Sequence, residues 1–229
     1  MYEELTRSRR AFLRGAAAVG VGALVGSLGR WPEPALADTP PATPADALQR
    51  LLDGNRRFVE GKITAPNRNL EHLKQVAPKQ TPFAAFLGCA DSRVPVEIIF
   101  DQGFGDVFVT RVAGNVASAE EIASLEFGTL VLGAKVLMVL GHTNCGAVKA
   151  ALEGTEVPGQ ISTLYRLITP GIDRQNKDLD AAVAANVRAQ ANILRDGSTV
   201  LSNLIRDGKL KLVGGVYDLN SGKVTLLEG

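Results

Sequence analysis

Short apolar runs and amphipathic stretches alternate along the chain from residue 83 onward. Runs that are continuously apolar, rather than alternating with polar residues, are typical of strands buried on both faces of a sheet. Four such runs predict strands at residues 83–88, 107–112, 136–141 and 210–217. A fifth stretch, 223–227, follows an Asn-Ser-Gly turn and predicts an additional edge strand.

Between these strands, hydrophobic positions repeat with the 3.6-residue period of a helix. Three helices are predicted there, at residues 118–132, 147–152 and 179–206. The inner face of the last helix consists of Val183, Val187, Leu194, Leu201 and the pair Leu204/Ile205.

An N-terminal helix is predicted before the first strand. Thr43 and Pro44 suit its N-cap and first position, and Gly61 ends it. Its inward stripe consists of Leu48, Leu51, Leu52, Phe58 and Val59. Strands that alternate with helices predict an α/β fold, with a mostly parallel sheet flanked by helices. We expect four to five strands in the order 2-1-3-4, with the possible fifth strand at the edge.

The composition of the chain narrows the class of protein. Of its 229 residues, 45% are hydrophobic and 21% are charged, which is typical of a globular domain rather than a disordered chain. The 25 basic and 24 acidic residues nearly balance. Charge therefore indicates no nucleic acid and no anionic membrane as a partner. Two cysteines are too few for a disulfide-rich scaffold.

The first 37 residues are typical of an export signal. Residues 8–14 form a twin-arginine pattern, and an uncharged apolar run follows at 15–29. That run is shorter than the ~20 residues that a membrane-spanning helix needs. Ala35-Leu36-Ala37 suits a cleavage site. We therefore predict a signal peptide at 1–37, a mature domain at 38–229, and a periplasmic or secreted protein that leaves the membrane after cleavage. An uncleaved membrane anchor is the alternative.

Chemically reactive side chains follow the first and third predicted strands. Cys89, Asp91 and Arg93 come after the first strand, and His142 and Cys145 come after the third. Strands 1 and 3 are neighbours in the expected order, and such sheets bind ligands beyond the carboxyl ends of their strands. Two thiolates and one imidazole suit a catalytic Zn²⁺ whose fourth position is left for water. The sequence therefore predicts one zinc ion per chain at this edge of the sheet.

A disulfide between the two cysteines is the alternative, because it is the default pairing in an exported protein. It would leave His142 without a purpose, and it would not explain Asp91 and Arg93. The second histidine, His72, lies in the polar stretch 67–79 with no partner motif, so we expect it at the surface.

Several motifs together resemble those of the β-class carbonic anhydrases. They are Cys-Ala-Asp-Ser-Arg-Val from Cys89, Arg-Val-Ala-Gly-Asn from Arg111, Glu-Phe-Gly from Glu126, Gly-His-Thr-Asn-Cys-Gly from Gly141, and Gly-Asn-Arg-Arg-Phe from Gly54. The resemblance runs from near Leu48 to the C-terminus. Gly128 departs from it, since the family more often has alanine there, and we expect this difference to affect helix packing rather than chemistry.

The resemblance implies a zinc enzyme that converts CO₂ and water reversibly to bicarbonate and a proton through zinc-bound hydroxide. Its zinc ligands would be Cys89, His142 and Cys145. Asp91 and Arg93 resemble the Asp–Arg dyad of the family. We hypothesise that Arg93 holds Asp91 away from the metal. Without that restraint Asp91 could take the fourth position, which makes it a further candidate zinc ligand.

The resemblance also bears on substrate binding and assembly. Gln80 matches the glutamine that binds substrate in the plant-like branch of the family, usually from the partner subunit. A homodimer or a larger homo-oligomer, with active sites at the dimer interface, is implied by the same likeness. Three alternatives stay open: a structural zinc site closed by Asp91, a CS₂ or COS hydrolase on the same fold, and a non-catalytic zinc- or bicarbonate-binding module.

Overall fold

Five strands form one sheet in a computed structural model that describes residues 40–228 of the chain. They are β1 (Ala84–Gly88), β2 (Val107–Arg111), β3 (Val136–His142), β4 (Lys211–Tyr217) and β5 (Val224–Leu227). Their order is β2-β1-β3-β4-β5; the first four run parallel, and β5 is antiparallel to β4. The predicted α/β fold and strand order are confirmed. The predicted signal peptide at 1–37 lies outside the described residues, so the domain boundary stays a prediction.

Eight α-helices lie among the described residues. They are α1 (Pro44–Val59), α2 (Leu70–Val76), α3 (Val96–Ile99), α4 (Ala119–Glu126), α5 (Gly146–Glu153), α6 (Ser162–Ile168), α7 (Leu179–Gly197) and α8 (Thr199–Arg206). None of these helices is both long enough and apolar enough to span a lipid bilayer.

The central strands β1 and β3 are buried along their whole length, which explains their continuously apolar sequences. Phe86 and Met138 lie in the core beneath α1 and α3, whereas Leu87 and Val139 lie in the core beneath α4, α7 and α8. Strand β4 is mostly only partly buried and begins with the exposed Lys211, which differs from the prediction of a buried strand. Strand β2 differs likewise, because it is only partly buried and ends in the exposed Arg111. It lies at the edge of the sheet and has one strand neighbour.

Helix α1 begins as predicted. The Thr43 hydroxyl accepts a hydrogen bond from the Asp46 N–H, and the Asp46 carboxylate accepts one from the Thr43 N–H, which forms a capping box. Leu48 and Leu51 are buried. Val59 was predicted to face inward, but it is 45% exposed at the last residue of the helix, so that part of the stripe is wrong.

The predicted helix at 179–206 is two helices. Ser198 has an extended backbone between α7 and α8, and its hydroxyl accepts a hydrogen bond from the Leu201 N–H at 3.0 Å, which caps α8. The same hydroxyl donates to the Glu126 carboxylate at 2.6 Å. Glu126 ends α4, so the predicted helix at 118–132 is also shorter, and a π-helical turn continues it to Val131. The hydrogen bond between Ser198 and Glu126 therefore lies where both predicted helices are interrupted.

Three helices, α2, α3 and α6, were not predicted. Helix α3 is a single turn of four residues, which is too short to show a helical period. Helix α2 has no buried residue, and α6 buries only Ile168, so neither sequence has the apolar stripe that indicates a helix. Gly128 lies in the π-helical turn, where a Cβ atom would be 2.7 Å from Phe108 Cδ1 on β2. The departure from alanine at this position therefore lies at a packing contact with β2 rather than at the carboxyl ends of β1 and β3.

Candidate metal centre

Three potential metal ligands meet at the carboxyl edge of the sheet. Cys89 directly follows β1, His142 is the last residue of β3, and Cys145 precedes the first residue of α5. Because β1 and β3 are paired in parallel, their ends lie side by side. The ligand atoms of the three residues lie within 4.8 Å of one another, and each residue is at most 3% exposed. The structure thus brings the predicted ligand set together.

Hydrogen bonding leaves one nitrogen of His142 ready for a metal ion. Its Nδ1 lies 2.9 Å from the Thr143 carbonyl oxygen, which only accepts, so Nδ1 has the hydrogen and Nε2 has the lone pair. Nε2 is buried, and it has no hydrogen-bond partner among the described residues. A buried nitrogen without a partner is unfavourable in a folded protein. A Zn²⁺ ion between Nε2 and the two sulfur atoms would satisfy it, so these residues fit zinc.

The pKa values of the two thiols are shifted in opposite directions. A hydrogen bond with Cys145 lowers the pKa of Cys89 to about 4, against the effect of burial and with help from His142 and the Gly114 N–H. The same pairing and burial raise the pKa of Cys145. Both cysteines are free thiols. A divalent cation deprotonates the thiols that coordinate it, so it would take the place of the shared proton and leave two thiolates.

Asp91 lies beside this cluster and is paired with Arg93. The guanidinium donates to both carboxylate oxygens, from Nε at 2.9 Å and from Nη2 at 2.8 Å, and the Arg93 N–H adds a third bond of 2.9 Å. These bonds hold the pKa of Asp91 well below its ordinary value. Asp91 Oδ2 is 3.8 Å from His142 Nε2, so the carboxylate lies next to the metal position while Arg93 engages it. Its role as a metal ligand stays a prediction.

Comparison with known proteins decides the family. Residues 84–224 match the family model described as carbonic anhydrase. Carbonic anhydrase 2 of Mycobacterium tuberculosis is 37% identical over 197 residues, covering 82% of this chain and 95% of that protein. A carbonic anhydrase of Mycolicibacterium smegmatis is 38% identical over 195 residues, with the same coverage. The crystal structure of a Coccomyxa β-carbonic anhydrase in complex with acetazolamide aligns with a TM-score of 0.61 at 28% identity, over 79% of this chain and 86% of that one.

The chain belongs to the β-class carbonic anhydrases. Its activity is the zinc-dependent reversible hydration of CO₂, and the Cys89–His142–Cys145 cluster is positioned to hold a metal ion. The five-stranded, mostly parallel sheet is the fold of this class.

Arg111 contributes to the site of this carbonic anhydrase in a way that the sequence did not reveal. It is the last residue of β2, directly beside Gly88 of β1. Its guanidinium donates from Nε to the Cys89 carbonyl at 2.8 Å and from Nη2 to the Asp91 carbonyl at 2.6 Å. It therefore holds the backbone of the loop that bears both side chains. In the sequence, only its place in the Arg-Val-Ala-Gly-Asn motif could have indicated a role at the site.

Gln80 lies apart from the zinc ligands of its own chain. It is exposed before the start of β1, in a shallow surface depression that Val131 and Leu132 also line. Cys89 follows the other end of β1, whose five residues span about 16 Å. His72 is on the surface helix α2, where its Nε2 lies 3.1 Å from the Phe104 carbonyl oxygen. Neither side chain reaches the cluster.

Proposed function

We propose that this carbonic anhydrase binds one Zn²⁺ through Cys89, His142 and Cys145, and that Arg93 keeps Asp91 off the metal in the resting enzyme. The observation that supports the ligand set is the buried, unpartnered Nε2 of His142 beside two free thiols. The bidentate bonding between Arg93 and Asp91 supports the second part. A site with three protein ligands has an open position, as catalytic zinc sites do.

When bound, zinc lowers the pKa of a coordinated water toward ~7 and so supplies hydroxide at neutral pH. The chain's own residues do the rest. Arg93 keeps Asp91 ionised, so its carboxylate is a hydrogen-bond acceptor beside the position where the nucleophile lies. Because an ionised carboxylate only accepts, Asp91 would accept a hydrogen bond from a hydroxide supplied at this position. The bond from His142 Nδ1 to the Thr143 carbonyl fixes the imidazole ring in place.

A comparison of the two histidines tests the metal site. His142→Gln should lose zinc and CO₂ hydration together, because it removes one of three ligands. His72→Gln is the matched control, since His72 is the second histidine of the chain and lies on the surface. Zinc content and stopped-flow CO₂ hydration are measured on the same samples. Full zinc content and activity in His142→Gln would contradict the proposal, and sulfide release from CS₂ or COS in place of hydration would favour the hydrolase.

We also propose that the chain works as a homodimer or a larger homo-oligomer. Several large apolar side chains around β2 are 44–63% exposed. This β2 edge surface consists of Ile98, Phe104, Phe127, Leu130 and Val131. Exposed apolar patches of this kind are typical of protein–protein interfaces. A second copy that covered this surface would also bury the half-exposed strand β2.

The proposed dimer would bring Gln80 to a zinc site. Gln80 is exposed, and it lines a depression together with Val131 of the β2 edge surface. A residue at that position is close to any partner seated there. We therefore propose that each subunit supplies Gln80 to the site of its partner, which is the arrangement of the plant-like branch of the family.

Export is the remaining proposal. The twin-arginine pattern, the apolar run and the Ala-Leu-Ala site support a cleaved signal at residues 1–37 and a periplasmic or secreted enzyme. Replacing Arg9 and Arg10 with lysines should leave the precursor in the cytoplasm, with zinc bound. Continued export of that variant would mean that the signal is of another type.

A further inference from the structure

Two amide side chains are buried on α7, one helical turn apart. Asn186 and Gln190 are both fully buried, although the inner face of this helix is otherwise apolar. A buried amide is unfavourable unless it is hydrogen-bonded, so its partners are informative. The proposed mechanism makes no use of either residue.

The partners of both amides lie in the segment that follows β2. Asn186 Nδ2 donates to the Gly114 carbonyl at 2.9 Å, and Gln190 Oε1 accepts from the Ala117 N–H at 2.8 Å. Gln190 Nε2 in turn donates to Asn186 Oδ1 at 3.1 Å and to the Leu167 carbonyl at 3.0 Å. The two amides therefore support each other and hold the 114–117 segment at both ends.

Gly114 connects this network to the zinc site. Its N–H donates a hydrogen bond to Cys89 Sγ at 3.3 Å. Its backbone has a φ of +76°, and a Cβ atom would lie 2.8 Å from Ile168 Cδ1 and 3.3 Å from Ala147 Cβ. Only glycine fits this conformation and this space. The backbone of Gly114 is thus held at its carbonyl by Asn186 and at its N–H by the Cys89 sulfur.

We propose that Asn186, supported by Gln190, positions the Gly114 N–H on the Cys89 sulfur and thereby holds this zinc ligand in place. The inference rests on the proposed zinc site. An N–H bond to a coordinating sulfur fixes the direction of its remaining lone pairs and stabilises its negative charge. Groups that orient a ligand in this way typically affect metal affinity by 10- to 100-fold. Asn186 and Gln190 act through Gly114, so they are positioning residues rather than catalytic ones.

A purely structural role is the competing explanation, and a second buried amide provides the control. Asn55 on α1 is 4% exposed and makes three hydrogen bonds, to the Ile99 and Gly222 carbonyls and from the Val224 N–H. It lies on the opposite side of the sheet from α7. Asn55→Leu and Asn186→Leu therefore each remove one buried amide from a network. Of the two, it is Asn186 that is connected to Cys89, through the backbone of Gly114.

Two measurements on the full chain separate the explanations. The first is the rate at which zinc passes to a chromophoric chelator. The second is the thiolate-to-metal charge-transfer absorption after zinc is replaced by cobalt(II). Asn186→Leu should release zinc about 10-fold faster or more and should shift the charge-transfer band. Asn55→Leu should leave both unchanged, even if it lowers the thermal stability as much.

Gln190→Leu is the second variant, because it removes the support of Asn186 but leaves the bond from Asn186 to Gly114. It should change both measurements in the same direction by a smaller amount, and it replaces Asn186→Leu if that variant does not fold. Zinc release and absorption bands that equal the wild type in the folded α7 variants would overturn the inference. A wild-type chain that bound no zinc would instead contradict the proposed function.

Discussion

Asp91 is held through its side chain and through its backbone. Arg93 engages the carboxylate, and Arg111 engages the carbonyl. A carboxylate so close to a cation that prefers four ligands would otherwise coordinate it. At the scale of single residues, the proposed open position of the site would therefore depend on two guanidinium groups that lie outside the ligand set.

Arg93→Ala should convert the site into one with four protein ligands. Without the guanidinium, the Asp91 carboxylate is free to move the short distance to the metal, and turnover should fall about 10- to 100-fold. Zinc-edge X-ray absorption measures the coordination, and stopped-flow hydration measures the rate. Arg206→Ala is the control, because that exposed arginine bonds to Asn203 on its own helix. An unchanged coordination shell with near-normal turnover in Arg93→Ala would refute the restraining role.

The lowered pKa of Asp101 makes the stability of the fold depend on pH. Burial raises its pKa, but hydrogen bonds from Thr64, Arg57 and Ala65 outweigh burial, so the pKa lies below its ordinary value. A carboxyl group with a lowered pKa stabilises the fold above its unfolded-state pKa of about 3.9, and this contribution is lost as the pH falls through the folded-state value. The ionised form is therefore the stabilising one at neutral pH.

Asp101→Asn should reduce the free energy of unfolding at pH 7 by about 2 kcal/mol, the usual range for bonds to a charged group. The gap to the wild type should narrow as the pH falls below about 3.9 and on through the lower folded-state pKa, because the carboxyl of the unfolded chain is protonated first and that of the folded chain afterwards. Urea unfolding at several pH values measures both quantities. Asp53→Asn, at a surface ion pair with Arg56, should show almost no gap. A gap at Asp101 that did not change with pH would contradict the assignment.

Among the secondary-structure elements, the junction of α7 and α8 depends on one serine. Ser198 is 2% exposed, caps α8 through the Leu201 N–H and donates to the Glu126 carboxylate. Ser198→Ala should lower the free energy of unfolding by about 1–2 kcal/mol, the range measured for lost N-caps. Thr199→Ala, at the exposed neighbouring position, is the control. Equal effects of the two substitutions in urea unfolding would show that the cap contributes nothing.

The same junction shows why some elements were predictable and others were not. The strands β1 and β3 were predictable because central positions of a parallel sheet are buried on both faces and so are continuously apolar. The break at Ser198 was not, because the apolar period of 179–206 continues through it and only the distant Glu126 engages the serine. The ligands Cys89, His142 and Cys145 were predictable because cysteine and histidine are rare in this chain. Arg111 and Asn186 act through backbone groups, which leave no local pattern.

For the whole molecule, mixed dimers test whether Gln80 acts across subunits. A dimer of one Cys145→Ser chain and one Gln80→Ala chain should keep about half of the wild-type activity, because one of its two symmetry-related sites is intact. If Gln80 served its own chain, neither site would be intact. Two different affinity tags on co-expressed chains isolate the mixed dimer.

The reciprocal dimer is the control for that experiment. It pairs a wild-type chain with a chain that has both substitutions. In the cross-subunit arrangement it should be nearly inactive, because the one intact ligand set lacks the partner's glutamine. Half activity in this dimer, with none in the first, would place Gln80 in the site of its own chain.

The parallel pairing of β1 with β3 has a consequence for the order of folding. Cys89 lies 53 positions before His142 in the chain, and all of β2 and α4 come between them. Contacts between such distant segments form late, because closing a long loop is entropically unfavourable. His142 and Cys145 are a local pair that can hold a metal loosely in a partly folded chain, whereas tight capture waits until the central strands have docked. The rate of tight zinc uptake during refolding therefore reports how fast the middle of the sheet assembles.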